Sequence, residues 1–252
     1  MQEINKVSFC IPTIFQQFPH LIAGESTRHG GVSNVPFSSL NLGINTNDHR
    51  ENVVENRRVF FEKLGISEAQ FASSYQVHGD NIQVVSEPGR AEGYDALITN
   101  QRNVFVGVTV ADCTPILIYD ALNNAVGAVH AGWRGTVAQI VFKTLQTMQQ
   151  TYGTQASACY VYVGTCIDEC SFEVGAEVAE QFGADFKRFD ATLGKYLIDL
   201  KRANAAQLSA FGIPASQIEI SPYSTITHNE DYFSYRLEKG QTGRMLAVIG
   251  VK

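Results

Sequence analysis

The chain has 252 residues, of which 44% are hydrophobic and 17% charged, and it carries a formal net charge of −6. That length and balance provide for a substantial core and exclude a disordered or fibrous protein. The acidic excess, with no lysine/arginine run, argues against a nucleic-acid or membrane-surface binder.

Taken in chain order, the N-terminal MQEINKVSFC lacks a basic region followed by an apolar core, so no signal peptide is expected. No apolar run approaches the ~20 residues of a membrane span, and a cytoplasmic location is the expectation. From Gly24 to Asp48, GESTRHGGVSNVPFSSLNLGINTND is rich in Gly, Ser and Asn and reads as turns and loops. A helix is predicted from about Glu51 to Leu64, with Val54, Phe61 and Leu64 among its apolar contacts and Gly65 as terminator. Strand-like runs follow: FASSYQVH, NIQVVSE, DALITN, NVFVGVTVA, PILIYD and AVGAVHA. Val137, Ile140, Val141, Leu145 and Met148 form a helical stripe ending near Gly153. ACYVYVGT reads as a strand and EVGAEVAEQFG as a short helix. Leu197 to Phe211 reads as a helix closed by Gly212 and Pro214, and MLAVIGV as a final strand. Strands and helices without strict alternation predict an α+β sheet sandwich, not a doubly wound fold, in a single domain covering residues 1–252.

Chemistry concentrates where apolar runs break. The segment HAGWRGT (130–136) joins a strand to a helix and carries His130, Trp133 and Arg134 among glycines. A helix start there would favour an anion, Arg134 would supply a planar cationic fork, and Gly132 and Gly135 would let a ligand approach the backbone. The plainer alternative has Trp133 covering the core edge and Arg134 solvating the surface. His78 ends another strand-like run, and Asp112 and Cys113 interrupt a third. Two histidines and a thiolate suit zinc and leave a fourth position open, although their separations form no spacing motif. The alternatives are a buried Cys113 and a backbone-bonded His78. Five cysteines, an odd number without a secretion signal, point to free thiols; Cys166 and Cys170 do not match a zinc knuckle.

STRHGGVS (26–33), NLGIN (41–45), QVHGDNI (76–82), YDALIT (94–99), ADCTPILIYD (111–120), VHAGWRGT (129–136), FEVG (172–175) and YFSYRLEKGQTGR (232–244) occur in one order. From about Ala23 to the C-terminus the chain resembles the YfiH-type laccase-domain proteins, also described as polyphenol oxidase-like and as purine nucleoside phosphorylases. The resemblance implies a four-layer α/β/β/α sandwich with mixed β-sheets. It implies a zinc site, and candidate catalytic groups, at His78, Cys113 and His130. Copper is the less favoured metal, because a multicopper centre needs many histidines and this chain has six.

The implied activity is phosphorolysis of adenosine, inosine and 5′-methylthioadenosine, with deamination of adenosine as a side activity. Purine nucleosides and phosphate are then the partners, and the oligomeric state is open. Arg28 and Arg134 are candidates to hold the phosphate. Gln76 would share a face with His78 in a strand, whereas Asp112 would join the site only if its strand ended or bulged there. Asn41 and Asn45 are candidates for the ribose hydroxyls, with an asparagine turn as the alternative. Tyr235 and Arg236 are candidates to border the base, and Asp95 is assigned a loop-ordering role. The chain departs from the family pattern at Thr165, where proline is usual, at Ser224 and at Leu237. A rival reading makes Cys113 a nucleophile activated by His78 or His130 in a metal-independent amidase or deamidase, including peptidoglycan-precursor editing. A third is a non-enzymatic metal-binding or redox protein.

Overall fold

Apolar runs that do not alternate with polar residues become strands buried on both faces. In Ala96–Thr99, Leu97 enters one core and Ala96 and Ile98 another; in Met245–Val251, Ala247 and Ile249 face one core while Leu246 and Val248 face a third. The computed structural model describes residues 7–252, so the MQEINK stretch and that part of the expected 1–252 domain lie outside the described residues.

One six-stranded sheet runs, edge to edge, Phe9–Cys10, Leu21–Ser26, Met245–Val251, Phe105–Val110, Phe71–Tyr75 and Gly89–Glu92. A second runs Ile218–Ile220, Cys159–Val163, Thr114–Asp120, Ala125–Ala131, Ala96–Thr99 and Ile82–Val84. Both mix parallel and antiparallel pairs. Leu97, Leu117, Tyr119, Val106, Val108 and Ile249 fill the space between them. The helix Arg50–Leu64 covers the first sheet through Phe60, Phe61 and Leu64, packed on Phe71, Phe105 and Val248. Helices Ile140–Tyr152 and Leu200–Phe211 cover the second through Ile140, Leu145, Met148 and Leu208. Four layers, α/β/β/α, result, as the resemblance implies. A small antiparallel sheet of Glu173–Val174, Lys195–Ile198 and Lys187–Asp190 lies apart from both.

Local details differ from the sequence reading for identifiable reasons. Gly24, Glu25 and Ser26, read as loop, belong to a strand because Met245–Val251 pairs with Leu21 to Glu25 and Phe9 pairs with Ser26. Val54 faces solvent; Val53 occupies the buried position beside it. The stripe from Val137 is two helices, Trp133–Val137 and Ile140–Tyr152, parted by Gln139 in the left-handed conformation at φ 61°. Leu197 and Ile198 lie in a strand, and the following helix starts after Asp199, whose side chain accepts from the Arg202 N–H at 2.9 Å. EVGAEVAEQFG divides into the strand Glu173–Val174 and a single turn, Ala176–Ala179. Gly65 ends its helix as expected, at φ 72°. No helix of the described residues is long and apolar enough to cross a membrane.

Candidate functional site

His130 lies near the end of the strand Ala125–Ala131, opposite Pro115. That register brings it beside Cys113, which immediately precedes the strand Thr114–Asp120. The third member arrives on a turn, because the strand expected to carry Gln76 and His78 ends at Tyr75 and His78 adopts φ 59°. The ligand atoms of His78, Cys113 and His130 all lie within 4.8 Å of one another, the one such group of three among the described residues. The two imidazole rings are 4.8 Å apart at 81°.

Asp95 organises this cluster and is the residue whose role the sequence reading understated. Its Oδ1 lies 2.7 Å from His130 Nδ1, and its backbone carbonyl accepts from the His130 N–H at 2.7 Å. The same carboxylate accepts from the backbone N–H groups of Val77, His78 and Gly79 at 3.2, 3.0 and 2.7 Å. One fully buried carboxylate therefore orients one imidazole and shapes the turn that carries the other. Its sequence signal was an aspartate at the head of the buried strand Ala96–Thr99, where an acid needs several donors to be tolerated.

Burial opposes charge on all three partners, and the partners overrule it. Burial would push the Cys113 thiol up, but His130 and His78 bring it down to about 6. Burial would lower His130, but the Cys113 thiolate and Asp95 hold it up to about 9. Asp95 is kept below the usual carboxylate range, against its own burial, by His130 and the N–H groups of Gly79 and Val77. Gly132 lets the backbone lie against the cluster: a Cβ there would stand 3.1 Å from Cys113 Sγ and 3.2 Å from His78 Cδ2.

The cluster borders a cavity of about 530 Å³, a volume within the range of small-molecule sites. Gln76, Asp112, Phe172, Tyr235, Arg236 and Arg244 are among its lining residues. Gln76 spends its amide on Thr109, donating to the carbonyl at 2.9 Å and accepting from the N–H at 2.9 Å. Asp112 reaches the site because its strand ends at Val110 and it turns at φ 79°. Its carboxylate accepts from Thr225 Oγ1 at 2.5 Å and from the Arg236 N–H at 2.6 Å. Tyr235 is on the exposed rim, and Arg236 lies over the Phe172 ring at 5.5 Å.

Three sequence candidates are placed elsewhere. Arg28 donates to the carbonyls of Ser38 and Asn229 and to Glu238, and stacks on Phe233, so its guanidinium is consumed in tying loops together. Arg134 is exposed and folds over Trp133 at 4.4 Å, away from the cavity lining. Asn41 is buried and serves backbone groups: its Oδ1 accepts from the N–H of Gly43 at 3.1 Å and of Arg244 at 2.9 Å. Its Nδ2 donates to Thr46 and Asp48. Asn45, also a ribose candidate, lines the cavity and accepts from Arg90 at 2.9 Å. Arg244, not singled out from the sequence, lines the cavity; its only signal was its place at the end of the YFSYRLEKGQTGR stretch.

A four-layer α/β/β/α scaffold thus carries an acid-oriented His–Cys–His cluster at a cavity, a group of side chains that could hold a metal ion. The chain belongs to the family described as multi-copper polyphenol oxidoreductase laccase, which matches residues 22–252. It is similar to the purine nucleoside phosphorylase YlmD of Geobacillus stearothermophilus, 35% identical and covering 95% of this chain and 98% of that protein. It is similar to a purine nucleoside phosphorylase of Bacteroides thetaiotaomicron, 36% identical over 89% of each chain. The crystal structure of the Bacillus licheniformis hypothetical protein YfiH superposes with a TM-score of 0.92, at 29% identity, covering 98% of this chain and 97% of that one.

The donor set fits one borderline ion, since an imidazole pair and a low-pKa thiol converge with their orientation fixed by Asp95. Among the described residues it is the one such convergent group of potential ligands. Of the other histidines, His20 bonds Tyr119, His29 bonds Asp231 and His228 bonds Thr227.

Proposed function

We propose that the protein is a zinc-dependent purine nucleoside phosphorylase acting on adenosine, inosine and 5′-methylthioadenosine, with deamination of adenosine as a side activity. The observation that carries this reading is the His78–Cys113–His130 cluster, bordering a nucleoside-sized cavity in a chain similar over nearly its whole length to proteins named purine nucleoside phosphorylase.

His78, Cys113 and His130 would hold the ion, and a bound zinc would supply a positive charge that polarises an adjacent oxygen. In phosphorolysis, a phosphate oxygen forms a bond to ribose C1′ while the bond to purine N9 breaks; the purine leaves with its electron pair and takes up a proton. In deamination, water adds at C6 and ammonia leaves, converting adenosine to inosine. The chain's own groups bind and orient. Tyr235 and Phe172 provide aromatic faces at the cavity for a base, and Arg236 provides a cation beside them. Gln76, whose amide is engaged by Thr109, acts as a wall of the cavity, and Asp112 fastens the Arg236 backbone. Holding phosphate and nucleoside in one cavity converts an encounter between two solutes into a local reaction, worth about 7–11 kcal/mol in well-oriented cases.

The test combines metal analysis of protein purified without added metal with assays of adenosine in the presence and absence of phosphate, alongside His130→Ala. About one zinc per chain, phosphate-dependent adenine release and loss of both in the variant are expected. Turnover of no nucleoside would sink the reading.

One observation favours a second reading. Asp95, His130 and Cys113 are connected as acid, imidazole and low-pKa thiol, the order a cysteine hydrolase requires. Metal-free protein whose Cys113 is alkylated with concurrent loss of amide hydrolysis would establish it in place of the first.

A further inference from the structure

The cavity has three arginines in its lining, and they differ in what they already hold. Arg57 is engaged with Glu68 at 2.7 Å and lies 5.1 Å from the rings of both Phe61 and Phe71. Arg236 stands 3.7 Å from Glu173 and donates to that residue's carbonyl. Arg244 forms no ion pair among the described residues. Its Nη1 donates to the carbonyls of Thr242 and Gly243 at 3.0 and 2.8 Å, while Nε and Nη2 have no partner among the described residues.

The surrounding chain is arranged to put this side chain where it is. Its N–H donates to Asn41 Oδ1 at 2.9 Å and its carbonyl accepts from the Leu42 N–H at 3.0 Å. The absence of a side chain at Gly43 makes room for it, because a Cβ there would stand 2.6 Å from Arg244 Cγ. The ring of Tyr235 lies 5.3 Å from its guanidinium carbon. A half-buried guanidinium with two idle nitrogens and no carboxylate in ion-pair contact is costly unless an anion completes it.

We infer that Arg244 is the anion receptor of this cavity, that it grips the phosphate co-substrate through Nε and Nη2, and that Asn41 and Gly43 position it. The inference rests on the phosphorolytic reading for the identity of the anion. It also replaces Arg28 and Arg134, whose guanidiniums face other partners, as the phosphate-holding residue.

The experiment measures binding of inorganic phosphate by calorimetry, and the KM for phosphate and for adenosine, in wild type, Arg244→Gln, Arg244→Lys and the surface variant Arg134→Gln. Loss of a charge-assisted pair predicts a rise of about 10- to 150-fold in the phosphate constants of Arg244→Gln. The KM for adenosine and the metal content should stay within about threefold of wild type, a smaller change than the loss of one charged bond produces. Arg244→Lys should recover part of the loss, and Arg134→Gln should match wild type. Phosphorolysis with an unchanged phosphate KM in Arg244→Gln overturns the inference and leaves the phosphorylase reading intact. Phosphate binding lost in Arg244→Gln, with no phosphorolysis by wild type, supports the receptor and overturns the reading.

Discussion

Asp95 Oδ1 stands 2.7 Å from His130 Nδ1 and also accepts from the backbone N–H of His78, so a single carboxylate sets two of the three cluster residues. Replacing it with asparagine keeps one acceptor but puts an amide NH₂ against N–H groups that need an acceptor. Asp95→Asn is expected to weaken metal affinity by about 10- to 100-fold, in line with other residues that orient a ligating histidine. Competition against a chromophoric chelator measures this, and an unchanged affinity would show that the contact is structural only.

Gly132 leaves the space that the cluster uses. A methyl there meets Cys113 Sγ at 3.1 Å and His78 Cδ2 at 3.2 Å, so one of them must shift by a few tenths of an ångström. Gly132→Ala is expected to lower metal occupancy and to cost about 1–3 kcal/mol of stability. Metal analysis and urea unfolding of the variant read both effects; a fully occupied site would show that the cluster tolerates the shift.

Asp112 occupies the left-handed region at φ 79°, a conformation that aspartate and asparagine tolerate better than other residues with a side chain. Its carboxylate ties Thr225 and the Arg236 backbone to the residue preceding Cys113. Asp112→Ala removes both ties, and a loss of up to about 10²-fold in kcat/KM is expected from misplacement of the cavity wall. Asp112→Asn, which keeps an acceptor and the backbone preference, should recover part of it. Equal losses in the two variants would instead assign the charge itself a role in the chemistry.

Glu25 is fully buried at the end of a strand, where it accepts from Tyr162 Oη at 2.7 Å and from the Thr165 N–H at 3.0 Å. A proline at 165 would have no N–H to donate, so Thr165 serves the buried acid. Burial outweighs these donors and raises Glu25 from 4.5 to about 7. A carboxyl raised on folding contributes stability that is complete below its unfolded pKa and is lost as pH rises through the folded one. Stability should therefore fall between about pH 4.5 and 7, by on the order of 3 kcal/mol from this group. Glu25→Gln should flatten that slope in urea unfolding at pH 5 and 8, with both proteins in the same metal state. A slope unchanged by the substitution would place its origin elsewhere.

Much of the architecture was legible from local chemistry. The apolar runs that became sheet strands, the helix ended by Gly65 and the strand ends near His78, Cys113 and His130 all follow from composition and propensity within a few residues. The motifs, read together, carried the family. Only the tertiary structure decided which polar groups meet. Leu21–Ser26 is a strand because the last strand of the chain pairs with it. Arg28 was lost to the cavity because Glu238 and the Asn229 carbonyl meet it from over 200 residues away. Arg244 entered the lining, with its backbone N–H held by Asn41 from across the chain. Strand and helix preferences are short-range energies, so sequence windows report them. Charge pairing depends on which distant loops share a surface, and that is settled only when the sheets pack.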